Sequence, residues 1–223
     1  MVPGSLAGCT GPLSTLTPHG PEATAIATLW WVMLAGSALI TALVLLLLAL
    51  AFRARRPALP PAFWTQGLGL YFSFGVLTLL MGVTILTGDR LSGRYQPAEV
   101  TVEAIARQWQ WRFRQPGPDG TPVETTGRLH IPAGVPVEVL IRTEDVIHSF
   151  WVPQLAGKLD AIPGHENRLR LIAPEAGLYQ GRSAEFSGAG YVDMGFEVLA
   201  YPPDDPPAPF TDRRTDPVEA PRP

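Results

Sequence analysis

The stretch GRSAEFSGAGYVDM, residues 181–194, has the spacing of a metal-ligand loop. Ser183, Ser187 and Tyr191 follow one another at intervals of four residues, and Met194 comes three later. Of these, only Met194, with its soft thioether, is a credible metal ligand. Glu185 stands between the two serines, and His148, in DVIHSFW, supplies an imidazole further upstream. Cys9 is the single cysteine of the chain, which excludes an intrachain disulfide framework and any site needing two thiolates. The loop is thus spaced for ligands but filled mostly with poor ones.

The rest of the sequence says what must position that loop. A length of 223 residues leaves room for one or two domains. A net charge of −3 and a pI of about 5.8 give no reason to expect a nucleic-acid partner. Thirty residues without a charge separate Glu22 from Arg53, and another 32 separate Arg56 from Asp89. A bilayer core needs roughly 20 apolar residues at 1.5 Å each, so both stretches predict transmembrane helices. The competing reading is a pair of buried core helices, which rarely run this long without a charge. Trp30 and Trp31 open the first stretch and Trp64 the second, as an aromatic belt does. The link RARRPALPPA carries Arg53, Arg55 and Arg56 and is expected on the cytoplasmic side, so that everything after Asp89 is exported.

Beyond the second stretch the texture changes to short runs broken by Pro and Gly. QWQWRFR alternates, with Trp109, Trp111 and Phe113 predicted on one face. VPVEVLIR puts Val135, Val137, Val139 and Ile141 on one side, and NRLRLIAP and GFEVLAY alternate likewise. The organisation that follows is an N-terminal segment over 1–24 and a transmembrane hairpin over 25–89. An all-β Greek-key domain follows over 98–201, and a Pro-rich, charged tail over 202–223 is expected to be disordered.

Three quoted segments carry a resemblance. VIHSFWVPQLAGKLDAIPGHENRLRL, APEAGLYQGRSAEFSGAGYVDMGFEV and RQWQW, behind two apolar helices, resemble subunit II of the haem–copper respiratory oxidases from about Thr17 to Tyr201. The resemblance implies a two-helix transmembrane hairpin followed by an all-β cupredoxin-like Greek-key sandwich. In the cytochrome c oxidase branch that sandwich holds a binuclear copper centre bridged by two cysteine thiolates. Two histidines, a methionine and a glutamate carbonyl complete its shell. Carried over residue by residue, His148 matches the first histidine, Met194 the methionine and Glu185 the glutamate. Ser183 and Ser187 stand at both cysteine positions and Tyr191 at the second histidine. Serine hydroxyls are hard and stay protonated at neutral pH, so they cannot bridge copper, and a mononuclear blue site also wants a thiolate. The expectation is that no metal is bound here. The quinol oxidase branch lacks this copper centre and has a Ser- and Gly-rich loop that GRSAEFSGAGYVDM resembles.

Other residues take expectations from the same resemblance. LAGC, ending at Cys9, reads as a lipobox, and quinol oxidase subunit II is a lipoprotein. The preceding MVPGSLAG has neither a basic region nor an adequate apolar core, so a leader truncated in this sequence is expected; the alternative is a free cysteine near a disordered terminus. Trp109 matches a tryptophan thought to pass electrons from cytochrome c to copper; without copper its expected role is packing. Glu185 is a candidate ligand for a magnesium at the contact with subunit I, against a solvated or hydrogen-bonded glutamate. Lys158 and Asp160 match the segment facing subunit I, against a salt bridge within a turn. LPPAFW offers no carboxylate before Trp64, so this chain is not expected to feed a proton channel there.

The reading as a whole is a non-catalytic subunit II of a bacterial terminal oxidase in the inner membrane. Most consistent with the loop is a quinol-oxidising complex that reduces oxygen and pumps protons. Haems and copper would reside in subunit I, with further oxidase subunits as partners. Two other readings stand beside it. One is a cytochrome c oxidase-type complex fed through another haem subunit; the other is a membrane-anchored scaffold or assembly protein.

Overall fold

The computed structural model describes residues 10–53, 60–91 and 98–213. Cys9, Arg55, Arg56 and residues 214–223, on which the lipobox, most of the basic link and the end of the tail depend, lie outside the described residues. The chain divides into a helical unit, residues 28–95, and a β unit made of residues 1–27 and 96–223.

Helix α1 runs Pro21–Phe52. Pro21 suits a first helical position, where its missing N–H loses nothing. The Gly20 carbonyl accepts from the Thr24 backbone N–H at 2.9 Å and from its hydroxyl at 2.8 Å, which closes the first turn. The second helix begins after Pro60 and Pro61, with the Phe63 N–H donating to the Pro60 carbonyl at 2.9 Å. It opens as a π-helical stretch, Phe63–Phe72, and continues as α2, Ser73–Leu91. Gly67 and Gly69 within the π stretch leave the backbone free to take the wider turn, a feature no periodicity argument predicts. Both helices are long and apolar enough to cross a bilayer. Leu39, Leu45, Phe52, Leu79 and Leu86 are exposed on a surface that is apolar all round, which suits lipid rather than water.

The β unit is a sandwich of two five-stranded sheets. β1 (Val100–Arg107), β2 (Gln110–Pro116), β3 (Pro122–Thr126), β5 (Val137–Thr143) and β8 (Asn167–Leu171) form one, in the order β3-β2-β1-β5-β8. β4 (Arg128–Pro132), β6 (His148–Trp151), β7 (Leu159–Ala161), β9 (Gly177–Ser183) and β10 (Gly195–Tyr201) form the other, in the order β4-β10-β9-β6-β7. β1 pairs with β5 and β10 with β4 in parallel; the remaining pairs are antiparallel. Small residues of β1 lie opposite large ones of β2, Ala104 against Phe113 and Ala106 against Trp111. That pairing makes room for an aromatic core in which Trp111, Phe113, Phe150 and Phe196 meet at ring separations of 4.7–6.5 Å. Val137, Val139 and Ile141 line the core as alternation predicts, while Val135 falls outside β5.

Two expectations change. Trp109 does not share the buried face of Trp111 and Phe113: β1 ends at Arg107 and β2 begins at Gln110, so Trp109 sits in the hairpin turn, 43% exposed. The tail is not disordered throughout. Residues 202–213 return to the sandwich, where Phe210 is buried and stacks on His130 at 4.4 Å and 5°. The Thr126 backbone N–H donates to Asp212 at 2.6 Å and its carbonyl accepts from the Arg213 N–H at 2.9 Å. Phe210, the two bonds at the Thr126 backbone and a hydrogen bond from Arg128 to the Thr211 hydroxyl at 3.2 Å help hold a segment whose composition alone lacks the apolar surface to fold.

Candidate functional site

The loop after β9 begins where that strand meets β6, with Ser183 opposite Phe150. Ser183 is buried, its hydroxyl accepts from the Ser149 N–H at 3.4 Å, and its own N–H donates to the Met194 carbonyl at 2.9 Å. The two ends of the loop are therefore tied together. Between them a short 3₁₀ turn, Ala189–Asp193, brings the chain back into β10. Met194 is 1% exposed and joins the core. Ser187 is buried as well, and its carbonyl accepts from Gln108 Nε2 at 2.7 Å and from Trp109 Nε1 at 3.1 Å. The Trp109 ring lies on the loop so closely that a Cβ on Gly190 would come within 2.4 Å of it. Glycine at 190 is thus a packing requirement rather than filler.

His148 opens β6 and is fully buried. Its Nε2–H donates to Asp145 Oδ1 at 2.8 Å. Asp145 also accepts from the Gln108 N–H at 2.8 Å, the Val146 N–H at 2.7 Å and the Thr143 hydroxyl at 3.1 Å. Burial would raise the Asp145 carboxyl, but the bonds from Gln108, His148, Val146 and Thr143 outweigh it and hold the group at about 2. That carboxylate orients the ring through Nε2 and leaves Nδ1 on the side away from Asp145. Asp145 and Gln108 are the residues that sequence reasoning missed. The signal for Asp145 was its place three residues before His148; Gln108 carries none.

His148, Ser183, Ser187 and Met194 are thus four buried residues on one set of linked segments. Tyr191 is the exception, only half-buried, with its ring 5.3 Å from the exposed Phe186. Lys158, Asp160 and Glu185 come together: Lys158 Nζ lies 3.8 Å from Asp160 Oδ1 and 3.7 Å from Glu185 Oε2. The salt bridge weighed as the alternative reading of Lys158 and Asp160 is present, although Asp160 lies in β7 rather than in a turn, and Glu185 joins it from the loop.

A profile described as the periplasmic domain of cytochrome c oxidase subunit II matches residues 119–200, from the turn before β3 to the end of β10. Over 211 residues the chain is 32% identical to quinol oxidase subunit 2 of Bacillus cereus, covering 87% of this chain and 71% of that one. The chain belongs to the subunit II family of the haem–copper oxidases. This subunit II is also 34% identical over 131 residues to the alternative cytochrome c oxidase subunit 2 of Bradyrhizobium diazoefficiens, covering 46% of this chain and 47% of that one. Among solved structures, the periplasmic domain of cytochrome oxidase subunit II from Bradyrhizobium japonicum aligns with a TM-score of 0.45 and 23% identity, covering 49% of this chain and 88% of that one. With its two apolar helices and a domain of the periplasmic type, this subunit II fits a two-pass membrane protein.

Proposed function

We propose that this subunit II is the copper-less version that serves a quinol-oxidising terminal oxidase. The observation that carries the reading is the identity of three residues in an otherwise intact loop. Ser183 and Ser187 stand where the copper-bearing branch needs bridging thiolates, and Tyr191 stands where it needs an imidazole. The positions left with suitable donors offer one imidazole, His148, and one thioether, Met194. The Ser183 hydroxyl is already engaged by the Ser149 N–H. This donor set does not fit a binuclear copper centre, and no electron-transfer step is assigned to the chain. The likeness to a quinol oxidase subunit 2 over most of both chains supports the same choice.

In this reading the subunit works as a cap. The Arg-bearing link that begins at Arg53 lies in the cytoplasm, the two helices pack beside subunit I in the inner membrane, and the sandwich covers subunit I on the periplasmic face. Lys158, Asp160 and Glu185 form the charged patch that meets subunit I. A magnesium held there through Glu185 would compete with the Lys158 ammonium, which already sits 3.7 Å from that carboxylate. Haems, the reaction-centre copper and the quinol site belong to the partner subunits. The cytochrome c oxidase-type alternative rests on the likeness to the Bradyrhizobium diazoefficiens subunit, and would require electrons to enter through another haem-bearing subunit.

Copper analysis of the purified full-length chain after copper loading tests the proposal. The expected result is no stoichiometric copper and no mixed-valence EPR signal. Two bound coppers with that signal would overturn it.

A further inference from the structure

β3 is an outer strand of the first sheet and β4 an outer strand of the second, with Gly127 between them. Residues 202–213 close this corner from both sides. The Thr126 N–H donates to Asp212 at 2.6 Å, the Arg213 N–H donates to the Thr126 carbonyl at 2.9 Å, and Arg128 reaches the Thr211 hydroxyl at 3.2 Å. At the centre is His130 of β4, buried under the segment. Phe210 stacks on the face of its ring, and the Thr211 N–H donates to its Nε2 at 3.4 Å.

Both nitrogens of that ring face N–H donors. Nε2 meets the Thr211 N–H, and Nδ1 lies 3.4 Å from Gln115 Nε2. The Gln115 amide has its orientation fixed: its oxygen accepts from the His130 N–H at 2.8 Å and its nitrogen donates to the Thr125 hydroxyl at 2.9 Å. That hydroxyl in turn donates to the Arg128 carbonyl at 2.5 Å. A neutral imidazole offers one of the two facing donors a lone pair, whichever tautomer it takes. An imidazolium offers neither, and sets N–H against N–H at both ends. The surrounding charges do not compensate. Arg128, on the same strand, is a cation. The segment brings Arg213 and Asp212, whose carboxylate is turned to the Thr126 N–H. β10 brings Tyr201 and Glu197, and Glu197 is held by Arg128 at 2.7 Å and lies 3.5 Å from Arg213 Nε. β2 and β3 present the neutral Gln115 and Thr125. Burial, followed by Arg128, holds the ring at a pKa of about 4 against the pull of Asp212.

We propose that residues 202–213 form an acid-released strap, closed over the β3–β4 corner while His130 is neutral and opened when the ring takes up a proton. Opening lifts Phe210 from the ring face and the Thr211 N–H from Nε2, which admits water to the imidazolium. The open strap thus binds a proton that the closed one refuses. Its population grows by up to about tenfold per pH unit below about pH 6.5. The aromatic core of Trp111, Phe113, Phe150 and Phe196 is built from other residues, so the strap leaves while the sandwich stays folded. What the release changes is the edge itself: a covered pair of outer strands becomes an open one.

Hydrogen exchange of the full chain in detergent micelles, read by mass spectrometry between pH 7 and 4.5, tests the strap. Peptides within 202–213 report the strap, and peptides within β5 report the sandwich. His130→Gln and His130→Phe cannot titrate at this position, and the second keeps a ring beneath Phe210. Comparing chains at one pH cancels the intrinsic pH dependence of exchange. The expected result is that strap protection in the native chain, relative to either variant, falls by about tenfold per pH unit below about pH 6.5, with β5 unchanged. A native-to-variant ratio independent of pH overturns the proposal and assigns any loosening to the carboxylates. Loss of β5 protection in step with the strap also overturns it, because that is unfolding of the whole β unit. Native strap protection that stays level over this range, after correction for intrinsic rates, overturns it whether or not the variants fold.

Discussion

Asp145 accepts the Nε2 proton of His148 at 2.8 Å while three further donors, from Gln108, Val146 and Thr143, close on the same carboxylate. The imidazole is thereby held as in a metal site, by a carboxylate behind the ligand nitrogen, although the thiolate positions carry serines. Replacing Asp145 by alanine strips the partner from a fully buried ring and from the turn that carries Gln108. The expected cost is about 2–3 kcal/mol, read as a lower thermal midpoint of the detergent-solubilised chain. A midpoint unchanged from the native chain would show that this carboxylate does not organise the site.

The second prediction concerns pH. His130 is buried against Phe210, and burial, followed by the nearby Arg128, lowers its pKa to about 4 despite Asp212. The unfolded chain therefore binds more protons than the folded one between about pH 6.5 and 4. His130 contributes stability that is fully present above pH 6.5 and is lost as pH falls toward 4. The expected loss is on the order of 2 kcal/mol after allowing for solvent screening of Arg128 and Asp212. Urea unfolding of the β unit at stepped pH values should show this slope, and His130→Gln should flatten it. An equal slope in the variant would assign it to other groups.

The tail supplies the third. Phe210→Ala removes the ring that stacks on His130 and lies 5.7 Å from that of Tyr201. The expected cost is roughly 2–3 kcal/mol, toward the lower end for an aromatic truncation because the site lies at the edge of the sandwich. Limited proteolysis should then cut within residues 202–213 well before the sandwich itself. Equal protection of native chain and variant would mean that the backbone bonds at Thr126 suffice.

Much of this fold was legible because it rests on patterns of hydrophobicity. The uncharged stretches gave both helices, and the alternation in VEVLIR and GFEVLAY gave β5 and β10, with Val137, Val139 and Ile141 on the buried face as expected. What escaped notice depends on contacts between distant segments. Trp109 continues the alternation of β2 but is claimed by the hairpin turn and by the Ser187 carbonyl, 78 residues away. Phe210 sits in a stretch polar enough to read as unfolded, and only the surface around His130 gives it a place. The loop residues were found through spacing, while the bond from Gln108 to the Ser187 carbonyl needed coordinates. Bringing Glu185 to Lys158 likewise depends on β6 lying between β7 and β9.

Restoring the lost donors is the fourth prediction. Ser183→Cys, Ser187→Cys and Tyr191→His together supply two soft bridging sulfurs and an imidazole beside His148 and Met194. Ser183 and Ser187 already occupy buried positions, so the thiols enter sites of matching size. Tyr191 is half-buried on Phe186, and its loss should cost only about 1 kcal/mol. The variant is expected to bind two coppers and turn purple. A well-folded variant with weak copper uptake and no thiolate-to-copper absorption would show that Ser183, Ser187 and Tyr191 are not the ligand positions.

The purified oxidase complex containing this subunit, assayed for oxygen uptake with ubiquinol and with reduced cytochrome c in parallel, tests the account at its centre. With Ser183 and Ser187 in place of both bridging thiolates, the account predicts rapid uptake with ubiquinol and none above background with cytochrome c. Sustained turnover on cytochrome c, with ubiquinol inert, would contradict it.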